Sequence, residues 1–243
     1  MYAIVIVLIL LLLYLAYLYF FKYSPYNTKL ISNFRVHRQH NDQQAAAALL
    51  QEITKRNNTL LEHLQSKYLN ESIRGEIDPT KNNRIDIVPN SSLYNWTQID
   101  QDKLMKIQES EYIQERIKQL LQRYDADDIH EISPLNKRGV TSYTENKKTL
   151  ILCLRKKEID ANGENELHDI NTMMFVVIHE LSHMMNDIWG HKMDFWVLFK
   201  FMLENAIEAG IYQPVNYAKY PIVYCGLKLT YNPLYDTSLI DFI

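Results

Sequence analysis

Residues 1–21 (MYAIVIVLILLLLYLAYLYFF) form an unbroken apolar run without a single charge. About 20 such residues, rising about 1.5 Å each, span the hydrocarbon core of a bilayer, so the pattern predicts an N-terminal transmembrane helix. No basic residue precedes the run and bulky Tyr-Phe-Phe-Lys closes it, unlike a cleaved leader. Tyr14, Tyr17 and Tyr19 gather at one end, where amphipathic rings favour the headgroup region. Lys22, Lys29, Arg35 and Arg38 all follow the run, which predicts a single-pass membrane protein with its C-terminal part cytosolic or inside a virion. Asn57, Asn70, Asn90 and Asn95 each open an Asn-x-Ser/Thr triplet, which matters only in a lumen; such triplets arise readily in an Asn-rich chain.

Beyond the run, residues 22–40 show scattered cations, a proline and no clean period, the pattern of a juxtamembrane linker. From Asn41 the period changes. Ala45, Ala48, Leu49, Ile53, Leu60, Leu61, Leu64 and Tyr68 recur at three- and four-residue steps, predicting one face of a long helix capped by Asn41 or Asp42. Residues 73–100 read as loops with a short extended piece at Ile85–Val88, and a second helix is expected over Gln101–Tyr124. Val140–Tyr143 and Thr149–Leu154 flank a polar turn and predict a hairpin, its second strand buried on both faces. The apolar run Met173–Ile178 predicts a buried helix, and Lys192–Ala209 another, with Phe195, Trp196, Phe199, Met202, Leu203 and Ile207 facing inward. The divisions are thus an anchor (1–21), a linker (22–40) and one domain (41–243).

Composition changes this picture little. The 243 residues carry a formal net charge of -3, which gives no basic footprint for nucleic acid. Two cysteines, Cys153 and Cys225, are too few for a disulfide framework and read as buried thiols in a reducing compartment.

The chemistry lies at 179–183, His-Glu-Leu-Ser-His, at the end of the predicted buried helix. Side chains four apart share a helix face, so His179 and His183 can direct two neutral imidazoles at one Zn2+ ion. Glu180 stands about 100° further round the helix, beside the metal, where it can take a proton from a water on the ion and pass it to a leaving amine. A catalytic zinc needs a third protein ligand. His191 follows Gly190, a natural helix terminator, and is the leading candidate; Glu204 and Glu208 on the next helix are the alternatives. His37, His40, His63, His130 and His168 lack a partner at ligand spacing and read as surface or linker residues. Tyr217, Tyr220 and Tyr224 are phenols able to hydrogen-bond an oxyanion.

The segment His179–Trp196 (HELSHMMNDIWGHKMDFW) resembles the WLM and SprT-like zinc metallopeptidases, which show HExxH, a third histidine shortly downstream and then an aromatic pair. His179, Glu180, His183, His191 and Phe195-Trp196 match that pattern. The longer stretch from Leu150–Leu154 to Tyr224-Cys225-Gly226 is similar to membrane-anchored WLM-like proteins of large DNA viruses. The seven residues between His183 and His191 make a longer spacer than in many members. The resemblance implies a small α+β, minigluzincin-like domain whose sheet packs on the active helix, with Thr149–Leu154 as an edge strand that holds an extended protein or peptide substrate. It implies a membrane-anchored zinc peptidase. With no zinc knuckle and no basic cluster, a DNA-linked role is not carried across. The alternative is an inactive membrane or virion scaffold that keeps the fold, with zinc as a staple or lost. A third reading is a structural protein whose helix 42–70 pairs with partner helices.

Overall fold

The computed structural model describes residues 2–17, 28–69, 110–132, 141–159 and 165–239. The apolar N-terminus forms helix α1 (Tyr2–Tyr17), 16 residues long, or about 24 Å at 1.5 Å per residue. That is short of the hydrocarbon thickness of about 30 Å. Among the described residues no helix is long and apolar enough to cross a membrane. The expected transmembrane anchor over 1–21 and the single-pass placement built on it are therefore corrected; Met1 and residues 18–21 of that expectation lie outside the described ones.

The rest is α+β. Strands β1 (Thr28–Ile31) and β2 (Phe34–His37) precede the long helix α2 (Gln43–Leu64), which runs on into a wider π turn at Gln65–Leu69. Helix α3 (Ser110–Arg123) leads to β3 (Ile129–Glu131), β4 (Tyr143–Glu145), β5 (Thr149–Leu152), β6 (Arg155–Ile159) and β7 (Asn165–Leu167). Helices α4 (Ile170–Met185) and α5 (Met193–Glu208) follow, then the hairpin β8 (Ile222–Tyr224) and β9 (Leu227–Leu229) and a 3-10 turn at Pro233–Tyr235. The main sheet has the order β1-β2-β3-β5-β4. Its two central pairings are parallel and its two outer ones antiparallel.

Several sequence expectations shift here. Residues 28–37, expected as linker, form a hairpin that joins the sheet, because Ser32 and Asn33 adopt the left-handed conformation that a two-residue turn requires. Helix α2 buries Ala46, Ala47, Leu50, Ile53 and Leu60 and leaves Ala45 and Ala48 exposed, a rotation of its first turns from the expected face. Asp42 does stand at the cap position, but its carboxylate makes no cap bond; it accepts from Arg155 instead. Strand β5 is interior, and the edge expected there belongs to β4. The expected extended piece at 85–88, and residues 101–109 of the second helix, lie outside the described residues. Cys153 and Cys225 are joined as a disulfide across 72 positions, so the reading of both as free thiols is corrected.

Helix α4 occupies the middle of the domain, packed against α2, α3, α5 and β4. Its N-terminus is capped by Asp169, which accepts from the Thr172 backbone at 2.9 Å and the Thr172 hydroxyl at 2.6 Å. A run from Met173 to Ile178 then buries every side chain, among them Phe175, whose ring meets Phe199 and Tyr217 at 5.2 and 4.7 Å.

One buried ion pair ties the layers together. Arg155 and Glu131 are both fully buried, 2.7 Å apart, and the same guanidinium reaches Asp42 at the start of α2. Glu131 also accepts from the His37 backbone at 2.6 Å, so β2, β3, β6 and α2 meet at one charge cluster. Removing one partner strands the other as an unpaired buried charge. Arg155→Met is expected to lower unfolding stability by about 3–5 kcal/mol, read from the urea midpoint.

Candidate metal centre

The spacing on α4 does what helix geometry requires. His179 and His183 stand one above the other, ring centroids 4.9 Å apart. Helix α4 ends at Met185 because Asn186 turns extended, and its side chain accepts from the Ile188 backbone at 3.0 Å. The chain then reverses through Asp187–Gly190. Gly190 takes φ +85°, which a side chain resists, and the next residue, His191, faces back toward α4. The His191 Nε2 lies 3.0 Å from His179 Nε2 and 3.1 Å from His183 Nε2. The ligand atoms of these three all fall within 4.8 Å of one another, and among the described residues the converging set is these three histidines.

Phe195 forms the floor. Its ring stacks on His183 at 4.3 Å and meets His179 and His191 at 4.7 Å each. Trp196 donates its indole N–H to the His191 carbonyl at 3.1 Å, which fixes the backbone that carries the third imidazole. The aromatic pair that follows His191 in sequence is thus the support beneath the cluster.

Burial favours neutral rings. It pushes His179 well below the ordinary histidine value and His183 down to about 4, with neighbouring imidazoles adding to the effect in both and Lys147 in His183. Burial also lowers His191. A neutral imidazole has one N–H and one lone pair, so three Nε2 atoms turned on one another cannot all be satisfied mutually. A shared cation satisfies all three. A tetrahedral zinc with bonds of about 2.0–2.1 Å sets its ligand nitrogens about 3.3–3.4 Å apart, a few tenths of an ångström from the spacing here. The residues fit such an ion.

Glu180 is buried, and its Oε2 accepts from the Thr144 hydroxyl at 2.9 Å. That hydroxyl also lies 3.2 Å from the Glu180 carbonyl, so β4, the sheet edge, is joined directly to the helix turn that carries the carboxylate. Burial raises the Glu180 carboxyl to about 7, against the lowering effect of the Thr144 bonds. A proton acceptor poised near neutrality suits acid–base work.

The alternative ligands fall away. Glu208 pairs with Lys67 and lies 3.4 Å from His63 Nε2, and neither it nor Glu204 belongs to the converging set. The tyrosine expectations change as well. Tyr217 is core against Phe175, and Tyr220 is exposed beneath Lys219. The Tyr224 hydroxyl donates to the Cys153 carbonyl at 2.8 Å. His37, His40 and His168 are buried rather than on the surface; burial takes His40 and His168 down to about 4. Thr144 was not visible in the sequence as a site residue, since its partner lies 36 positions away and it falls inside the expected turn.

The comparisons give relatives without a described activity. The chain is 36% identical over 74 residues to the uncharacterized protein 136R of Invertebrate iridescent virus 6, covering 30% of this chain and 40% of that one. It is 36% identical over 90 residues to the uncharacterized protein R325 of Acanthamoeba polyphaga mimivirus, covering 37% and 43%. A third relative, the uncharacterized protein 042R of Invertebrate iridescent virus 3, is 39% identical over 88 residues, 35% and 50% of the two chains. The chain thus spans half or less of the length of these curated relatives. No family model matches the chain, and no solved structure matches it at a significant level. The relatives are viral proteins, which supports a viral origin.

Elemental mass spectrometry of the purified chain is expected to find about one zinc per molecule, removable by a strong chelator. His183→Ala and His191→Ala should each lose it, whereas Glu208→Gln should retain it. Zinc kept by His191→Ala would remove the three-histidine assignment.

Proposed function

We propose that the chain is a zinc metallopeptidase that hydrolyses peptide bonds in protein substrates. The observation that carries this reading is the convergence of the His179, His183 and His191 Nε2 atoms beside a buried carboxylate that is bonded to the sheet edge. His179, His183 and His191 would hold the ion. When bound, zinc supplies a Lewis acid that polarises a carbonyl and acidifies a water.

The chain's own residues divide the remaining work. Glu180 takes the proton from the attacking water at its carboxylate and delivers it to the leaving amine nitrogen. The Thr144 hydroxyl holds that carboxylate in one rotamer. Among the described residues strand β4 is the edge of the sheet and packs against α4, and an extended peptide can add to it by main-chain hydrogen bonds. Phe195 walls the imidazoles on one side and keeps water from that face.

The buried Glu180 also separates this reading from that of an inactive scaffold with a structural zinc. A carboxylate that only stabilised the fold would be costly at this depth. The burial of Glu180 beside the three histidines favours the peptidase reading.

The test is hydrolysis of an unfolded protein such as reduced, alkylated casein by the zinc-loaded chain. Glu180→Gln is expected to keep one zinc and lose cleavage by a factor of at least about 100, the scale of general acid–base catalysis. Undiminished cleavage by that variant would sink the mechanism. Thr144→Val should retain zinc and the substrate KM while kcat falls about tenfold, since it loosens the base without touching the metal.

A further inference from the structure

The third imidazole sits on an exposed loop, and something must hold that loop. His191 is exposed, as are Asp187, Trp189 and Gly190 before it. Within the loop the Asn186 side chain bonds the Ile188 backbone, a local contact that does not fix the loop against the rest of the domain. At its far end the loop is held by the Trp196 bond to the His191 carbonyl, and at its start the anchoring comes from helix α3.

Asp187 is gripped from three directions. Arg116 Nη1 donates to its Oδ2 at 2.5 Å, and Gln119 Nε2 and Arg123 Nη2 donate to Oδ1 at 2.6 and 2.8 Å. Residues 116, 119 and 123 follow at three- and four-residue steps, so all three project from one face of α3. Arg123 uses its other nitrogen to bond the Met184 carbonyl at 2.6 Å, one residue beyond His183. One arginine therefore binds the end of the ligand helix and the start of the ligand loop together. Arg116 is mostly buried and lies 5.0 Å over the Tyr112 ring, which stiffens the grip. Burial works against the charge of Asp187, yet the two guanidinium groups hold its carboxyl down at about 2. On the opposite side of the loop, Lys147 from the β4–β5 turn bonds the Asn186 carbonyl and lies 5.2 Å over the Trp189 ring.

We infer that Asp187, held by Arg116, Gln119 and Arg123, is the positioning residue that sets His191 against the α4 histidines, so that α3 acts on the metal through the loop. The inference rests on the reading of the three histidines as metal ligands. Its physical basis is the length of the spacer. Seven residues between His183 and His191 leave the third ligand many alternative placements, and a charge-assisted clamp at the fourth of those seven removes most of them. Groups that orient metal ligands without touching the ion commonly change affinity by about 10–100-fold when removed.

The experiment is a double-mutant cycle on the full chain, with zinc affinity read by competition against chelators of graded strength. Asp187→Ala is expected to weaken zinc by about tenfold or more in the parent chain. In a His191→Ala background, which loses zinc on purification but is titrated at high zinc for the weak affinity left to His179 and His183, the same change should alter affinity less than about twofold. Arg123→Met serves as a second variant should Asp187→Ala not fold, with the same expectation in both backgrounds. Thermal unfolding of the metal-free chains accompanies each measurement, because a purely structural ion pair shifts stability without this dependence on His191. Equal losses in the two backgrounds, or no loss in the parent, overturn the clamp while leaving the metal site standing. A parent chain that binds no zinc overturns the metal reading and the clamp with it.

Discussion

The structure depends on the burial of one helix that must also carry polar chemistry. Helix α4 is enclosed along most of its length, and its apolar run from Met173 to Ile178 supplies much of the core. Its last turns then place two imidazoles and a carboxylate where water is scarce. Such groups are costly in an apolar setting unless each finds a partner. Glu180 finds Thr144 on β4, and His191 is brought back so that the three imidazoles converge on one point. The edge strand and the returning loop are both arranged around those needs.

Position at the sheet edge is secured from the far side. Cys153 donates its backbone N–H to the Ser142 hydroxyl at 2.9 Å, Ser142 shares a 2.5 Å hydrogen bond with Tyr224, and Tyr224 donates back to the Cys153 carbonyl at 2.8 Å. This closed circuit fixes the residue just before β4 to the end of β5 and to the β8–β9 hairpin. The Cys153–Cys225 disulfide crosses the same junction covalently. The tail hairpin, remote in sequence from the histidines, thereby stabilises the strand whose threonine steadies Glu180. Tyr224, one of three tyrosines that the sequence offers for an oxyanion, serves here as a brace.

The buried Arg155–Glu131 pair plays a corresponding part on the central strand β3, where Glu131 lies in register with Leu152. Ion pairs of this kind contribute little net stability compared with apolar packing, but they discriminate strongly against misplacement, because any shift leaves a charge unpaired. Between this pair and the Tyr224 circuit, β3, β5 and the start of β4 are held in place. The shared sequence with viral relatives does not itself name an activity. The functional reading therefore stands on the geometry of this site.

The helices that carry the site were legible because their apolar periods are local: α4, α5 and most of α2 follow from spacing alone. The same holds for His179, Glu180 and His183, which one helical turn brings together whatever surrounds them. Gly190 before His191 signalled a reversal, and the structure brings His191 Nε2 to 3.0 Å from His179 Nε2. What the sequence could not determine were relations set by partners far along the chain. The N-terminal run reads as long enough to span a bilayer, yet the helix formed by its described residues is too short. Residues 28–37 look like linker because their strand pairing lies with β3, about 94 positions away. Strand β5 becomes interior, Thr144 meets Glu180, Cys153 joins Cys225 and Asp187 meets α3 only once the sheet and helices are assembled. Local period and motif are written in neighbouring residues; edge, partner and anchor are decided by packing.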